Sequence, residues 1–309
     1  MRDQPRMTST PDLPNHRPDD LPRRPDVARA EVVVPAPGAG PGNWSGAPCA
    51  VHADGWWVIA YRVRRPVLDG RGVGVVVARS RDGVTFETVA TAARDEFGAE
   101  SLERPALVRL EDGWRLYVSC ATPNSKHWWV ESLTAPTLAD LADGQRQIVF
   151  PGDDTVGVKD PVIVRDGDRW RAWLCCHPLT DAGHEDRMTT RYLTSDDGLA
   201  WTDQGEVLAG RPGRWDARGA RVTALVAEEP LTLTYDGRPD AQSNWYETTG
   251  LAVEHDGALQ PDEGWRAHSP HSDGALRYAA LATAPNGTRR WYFEAARPDG
   301  AHDLFTAPA

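Results

Sequence analysis

Short apolar stretches separated by Gly, Pro and Asp recur along the chain. WWVIAYRV (56–63), GVGVVVARS (72–80), GWRLYVSCA (113–121), RWRAWLCC (169–176), LTLTYDG (231–237) and RRWYFEAA (289–296) are rich in β-branched and aromatic residues and too short for core helices. Asp-Gly pairs at 54–55, 82–83 and 197–198 fall between such runs, where a tight hairpin needs residues that tolerate positive φ. Few stretches show a helical period. The pattern predicts an all-β protein.

The runs repeat as a unit. Five segments begin alike, with polar or small residues, a short apolar strand and a turn: GNWSGAPCAVHADG, SLERPALVRLEDG, VGVKDPVIVRDGD, WDARGARVTALVAEE and SDGALRYAALATAPNG. Aligned on Pro48, Pro105, Pro161, Val222 and Leu276, they are spaced 57, 56, 61 and 54 residues apart. A near-constant period of this size suits one four-stranded propeller blade, so the expected fold is a five-bladed β-propeller. The fifth unit lacks an outer strand, and Glu31–Val34 has no partner of its own. That segment is expected to complete the fifth blade and protect its edge. Residues 30–309 then form one domain, preceded by a disordered leader over 1–29. The Ser-x-Asp-Gly turns at 80–83 and 195–198, followed by Phe86 or Trp201, suggest aromatic packing between blades.

Composition narrows the partners. The net charge of −11 argues against nucleic acid or an anionic membrane surface. No apolar run reaches the length of a membrane span, and the first residues lack the apolar core of a secretion signal. A cytoplasmic protein is expected. The four cysteines (Cys49, Cys120, Cys175, Cys176) lack zinc spacing and read as free thiols. Neither a metal nor a cofactor is expected.

In a propeller the starts of the inner strands converge on one mouth of the central channel. Here those starts carry Glu100, Glu103, Arg104, Lys159, Asp160, Asp216, Arg218, Arg221, Asp273 and Arg277, with Asn43, Trp44 and Ser45 in the first unit. The second strands end nearby with Arg62, His177, Asp236, Arg238 and Glu294. Paired carboxylates in a cleft suit general acid–base work, and Arg suits carboxylate or phosphate groups. The candidate catalytic residues are Asp160, Glu103 and Asp216. The candidate binding residues are Arg62, Arg104, Lys159, His177, Arg218, Arg221, Asp236, Arg238, Asp273 and Trp44. The polar stretch 181–187 (DAGHEDR) is either a lid or a solvated loop.

Five blades with an Asp-Pro opening an inner strand resemble the five-bladed glycoside hydrolases: invertases and fructosidases, arabinofuranosidases and xylosidases, and mannoside phosphorylases. Val158-Lys159-Asp160-Pro161 is similar to the Arg-Asp-Pro element of the invertase-like enzymes. The resemblance implies that Asp160 binds sugar hydroxyls and stabilises the transition state. Leu102-Glu103-Arg104-Pro105 resembles the Glu-Asp-Pro-Arg element of the phosphorylases, with Glu103-Arg104 where that pattern has Glu-Asp. Ala47 stands where the invertase-like enzymes carry a nucleophilic Asp, and residues 216–221 lack the Glu of their acid element. The resemblance therefore implies a sugar-like small-molecule substrate, without the standard retaining pair, and the convergent Arg62, Arg104, Lys159, Arg218, Arg221 and Arg238 fit an acidic sugar or a phosphate nucleophile. A lyase, isomerase or cyclase on this scaffold, or a sugar-binding or scaffold propeller without catalysis, are the competing readings.

Overall fold

The computed structural model describes residues 21–309. After β1 (Glu31–Val34) come nineteen further strands, and the pairings divide them into groups of four. The first group is β2 (Trp44–Ala53), β3 (Trp56–Arg64), β4 (Gly72–Ser80) and β5 (Glu87–Ala93). The second is β6 (Leu102–Leu110), β7 (Gly113–Ala121), β8 (Trp128–Ala135) and β9 (Gln145–Phe150). The third is β10 (Val156–Asp166), β11 (Arg169–Pro178), β12 (Thr189–Ser195) and β13 (Thr202–Ala209). The fourth is β14 (Ala220–Glu228), β15 (Leu231–Gly237), β16 (Thr248–His255) and β17 (Ala258–Ala267). The fifth is β18 (Leu276–Thr283), β19 (Arg289–Ala296) and β20 (His302–Pro308), with β1 antiparallel to β20.

β17 is absent from the sequence reading. Its segment, ALQPDEGWRA, carries Pro261, Asp262, Glu263 and Gly264 and is largely exposed. An outermost strand tolerates such residues because one side of its ladder faces solvent.

The first strands of the groups are neighbours in cyclic order: β2 meets β6, β6 meets β10, β10 meets β14, β14 meets β18, and β18 meets β2. The apolar core follows the same cycle. One cluster joins Val58, Val75 and Val77 to Leu107, Leu116 and Val118; another joins Tyr117 and Val130 to Trp170 and Leu174. Trp173 and Leu208 pack with Leu233 and Tyr235, Leu251 and Trp265 with Trp291 and Phe293, and Tyr292 and Leu304 with Ile59 and Val76. Each cluster spans two neighbouring groups, so apolar burial joins one group to the next.

Each innermost strand breaks its ladder at an equivalent point. The register shifts lie between Gly46 and Cys49, Leu102 and Pro105, Lys159 and Val162, Val222 and Ala224, and Arg277 and Ala280. Ala47, Asp160 and Tyr278 take φ of 50°, 53° and 55° there. The extra residue re-aims the side chains beside it. The structural equivalent of Asp160 in the last unit is therefore Tyr278, slightly displaced from the alignment on Leu276.

The Ser-x-Asp-Gly turns dock onto neighbouring groups. Tyr292 Oη donates to the Gly83 carbonyl at 3.0 Å, and Tyr117 Oη to the Gly198 carbonyl at 2.8 Å. Both glycines have positive φ, and a Cβ on either would strike the docking tyrosine's hydroxyl. The aromatic residues after the turns also pack as expected: Phe86 lies 5.8 Å from Tyr292 and Trp201 5.4 Å from Phe150, centre to centre.

Of the leader expected to be disordered, 1–20 lies outside the described residues. Residues 21–29 rest on the protein: Leu21 and Val27 pack on the cluster around Trp291, and Trp291 Nε1 donates to the Arg23 carbonyl at 2.6 Å. Among the described residues no helix is long and apolar enough to cross a membrane.

Deleting residues 1–26 removes the Arg23 contact and should cost about 1 kcal/mol. Deleting 1–36 also removes β1 and the bond from Ala36 N to Asp303 Oδ1, and uncovers the β20 edge. Differential scanning calorimetry should show a melting temperature lower by about 5 °C or more for the longer deletion than for the shorter. Equal values would deny β1 a structural role.

Candidate functional site

Beside the ends of the innermost strands lies a cavity of about 760 Å³. Residues at or beside each inner-strand bulge explain its character. These are Gly46, Glu103, Lys159, Arg221 and Arg277, and the four with side chains all line the cavity. Gly46 has no room for one: a Cβ there would fall within 2.6 Å of three Glu294 side-chain atoms. Eight cationic side chains and five carboxylates line the cavity in total.

Beneath the lining runs a buried chain of ion pairs. Arg62 joins Glu103 to Glu294, the latter at 3.0 Å. Glu294 also meets Arg277 Nη2 at 2.8 Å and His302 Nδ1 at 2.7 Å, and accepts from Ala47 N at 3.0 Å. Arg277 continues to Glu247 at 2.6 Å, and Glu247 to Arg238 at 3.0 Å and Arg221 at 3.7 Å. Arg221 ends on Asp236 at 2.8 Å and Asp160 at 3.2 Å. Asp160 Oδ1 then accepts from Arg104 N at 3.2 Å, while Asp160 N donates to Ser119 Oγ at 2.8 Å.

Burial works against charge on these carboxylates, but the guanidinium groups override it. Glu103 is held well below the usual range by Arg62, Lys159 and Arg64, Glu247 by Arg277, Arg221 and Arg238, and Glu294 by Arg277, Arg62 and His302. Asp236 is the exception: burial raises it despite Arg221. Burial, with Lys159 and Arg238 nearby, lowers His177 to about 3, so its imidazole is neutral. His177 Nδ1 meets the Glu185 carbonyl at 2.9 Å.

Of the residues expected at the site, Trp44, Arg62, Glu103, Lys159, His177, Arg221 and Arg238 line the cavity. Asp160 lies directly below, 3.6 Å from Lys159 Nζ and 3.5 Å from Tyr278 Oη. The structure does not bring the others in. Asp216 is buried beside β15, its Oδ2 held by Arg211 and by Tyr235 Oη at 2.8 Å each. Arg218 clamps the 181–187 loop through Asp186 at 2.7 Å, and that loop lines the cavity with Gly183, Glu185 and Asp186. Asp236 lies behind Arg221, and Asp273 is exposed outside the cavity. Arg104 turns the other way: Nε and Nη2 bond to the Pro48 and Thr223 carbonyls, and the side chain lines a separate, more apolar cavity of about 480 Å³.

The sequence reading left out Arg64, Trp128, Trp245, Glu247 and Tyr278, which also line the cavity. Arg64 was signalled by its place two residues after Arg62, on the same face of β3. Glu247 and Trp245 come from the irregular segment between β15 and β16, which has no periodicity to read. Among the described residues no group of three His, Cys, Asp or Glu is placed to hold a metal ion.

No family profile and no curated protein sequence matches the chain. Its fold is that of the propeller glycoside hydrolases. It is similar to a thermostable family-43 glycoside hydrolase (TM-score 0.64, 14% identity, covering 89% of this chain and 91% of that one). It is similar to the α-L-arabinofuranosidase from Lactobacillus brevis (0.63, 11%, 85% and 90%). A third likeness is to a structure from the GH130 family of mannoside phosphorylases, which contains hydrolases that target β-1,2 mannosidic linkages in Candida mannan (0.58, 14%, 93% and 96%). At these identities the likeness is one of fold.

Replacing Glu294 with Leu would leave Arg62, Arg277 and His302 buried without their common partner. Urea unfolding should show a loss of about 3–5 kcal/mol. Stability should also depend on acid. Glu103, Glu247 and Glu294 are depressed from 4.5 in the folded chain, so their contribution is complete above that value and lost as pH falls below it. The unfolded His177 takes up its proton near 6.5 and the folded one near 3, so loss begins below about pH 6.5. The urea midpoint should fall from pH 6.5 downward, more steeply below 4.5, and His177→Gln should flatten the upper part. A midpoint independent of pH from 7 to 5 would contradict this.

Proposed function

We propose that the protein is a carbohydrate-active enzyme on a five-bladed propeller spanning residues 30–309, with β1 as the outer strand of the fifth blade. It transfers a glycosyl group to water or phosphate, and its substrate is a sugar or sugar-like molecule that carries negative charge. The observation that carries this reading is the cavity: of ligand size, walled by Trp44, Trp128, Trp245 and Tyr278, and lined by eight cations against five carboxylates in a chain of net charge −11. The exposed ring of Trp245 suits the apolar face of a sugar ring, and the surplus of cations draws an anion.

Glu103 is the cavity carboxylate best suited to act as nucleophile, because Arg62 and Lys159 keep it ionised. Asp160 sits one layer down, with Lys159, Arg221 and Tyr278 around its Oδ2, and serves to position these three groups at the cavity wall. Asp216 has no part in this mechanism. Glu103 and Glu247 are both depressed, which favours a second reading. An ionised carboxylate removing a proton beside a substrate carboxylate, with cations stabilising the resulting enolate, is lyase or isomerase chemistry and requires no prior protonated acid.

Aryl glycosides of neutral sugars and of uronic acids, assayed with and without inorganic phosphate, test the first reading. Release of the aryl group is expected, and Asp160→Asn and Glu103→Gln should each lower kcat about 10²–10⁴-fold with unchanged circular dichroism. Asn suits position 160, where φ is 53°. An unsaturated product from uronides without glycosyl transfer would establish the second reading instead. Full activity of Asp160→Asn would remove Asp160 from the mechanism.

A further inference from the structure

Arg64 is the guanidinium that the buried ion network leaves out. It ends β3 two residues beyond Arg62, and the pleat sends both side chains to the same face. Arg62 is locked between Glu103 and Glu294. Arg64 is equally buried, at 2% exposure, and lines the cavity. Yet among the described residues its side chain has no hydrogen-bond or ion-pair partner. Its contacts are indole faces: its guanidinium carbon lies 4.2 Å from the ring centre of Trp44 and 4.9 Å from that of Trp245. The two rings meet edge to face, 6.0 Å apart at 67°, so the cation sits in a corner rather than a parallel stack.

Indole faces attract a cation but accept none of its five N–H bonds. A buried guanidinium with unmet donors is costly, and burial lowers the Arg64 pKa to about 10, which leaves it charged at neutral pH. Arg62, Arg71, Arg221, Arg238 and Arg277 differ in that each already holds a carboxylate. An arriving oxyanion would have to displace one there, whereas at Arg64 it would meet open donors. Trp245 supplies an independent sign of a binding wall. It has φ of 81°, a conformation that a bulky residue rarely adopts, and is 41% exposed. It belongs to the segment pinned by the Arg238–Glu247 pair.

We propose that Arg64, in the corner of Trp44 and Trp245, is an oxyanion subsite that receives two oxygens of a carboxylate or phosphate group carried by the saccharide. This rests on the reading of the cavity as a sugar site and adds where the substrate's charge is held. The fork of a guanidinium matches two such oxygens, and a neighbouring sugar ring would lie against Trp245.

Isothermal titration with glucose, glucuronate, glucose 6-phosphate and inorganic phosphate tests it. Wild-type protein should bind at least one oxyanion probe about tenfold or more tightly than glucose, and Arg64→Met should erase that preference while keeping glucose binding. Arg64→Lys should restore part of it, and Trp245→Ala, at an exposed position, should weaken it several-fold. Preference for glucuronate assigns the carboxylate as source; preference for glucose 6-phosphate or phosphate assigns the phosphate. If Arg64→Met fails to fold, Arg64→Lys and Trp245→Ala decide, and unchanged preference in both overturns the subsite. Glucose binding with no oxyanion preference, or a preference that survives Arg64→Met, overturns the subsite and leaves the sugar reading standing. Phosphate binding lost in Arg64→Met, with no sugar bound, keeps the subsite and overturns the sugar reading. Absence of binding by all four probes overturns both.

Discussion

The buried alternation of guanidinium and carboxylate from Glu103 through Arg62, Glu294, Arg277, Glu247 and Arg221 to Asp160 holds the site together. The innermost strands cannot bond to one another along their length as neighbours in one sheet do, so long charged side chains span the gaps between them. Each arginine is buried with at least one carboxylate, and several carboxylates also accept a backbone N–H from the next group, as Glu294 does from Ala47 and Asp236 from Tyr278. Such a network contributes little net stability as a whole, but removing one member strands its partners in a low-dielectric interior. Its consequence is specificity: it fixes which side chains reach the cavity and keeps its carboxylates ionised.

The same network accounts for the missing carboxylate of the first group. Ala47 occupies the position equivalent to Asp160, immediately ahead of a proline in both cases. Its N–H is engaged by Glu294, which also fills the space where a side chain on Gly46 would project. The carboxylate beside the first inner strand thus comes from β19. Similarity of fold leaves the reaction open.

The five inner strands share one local device, a bulge, but they decorate it unequally. Glu103, Lys159, Arg221 and Arg277 line the cavity from at or beside these bulges, and the 181–187 and 238–247 segments add Asp186, Trp245 and Glu247 to the lining. Opposed aromatic and ionic surfaces in one cavity suit a ligand that has both a ring face and a charge. Arg64 stands apart because it packs on indoles and, among the described residues, pairs with no carboxylate, so its donors remain for a ligand.

Strand positions, hairpin turns, the repeat and the pairing of Glu31–Val34 with the last strand were legible in the chain, because alternation and turn chemistry are local properties. The starts of the inner strands were legible as a charged convergence for the same reason. The sequence did not distinguish which charges face the cavity. Glu103 goes to one cavity and the adjacent Arg104 to the other, as strand alternation sends neighbours to opposite faces, but the sequence does not mark which face carries which cavity. Asp216 and Arg218 were expected with Arg221 but are diverted to Arg211 and Asp186, partners set by how the intervening segments fold back. Glu247 enters from irregular backbone with no pattern to mark it. Side-chain type and spacing thus determined the strands, whereas ion-pair partners, and with them the charge state of the cavity, were decided only when different groups came into contact, as Arg62 does with Glu103, Arg221 with Asp160 and Arg62 with Glu294.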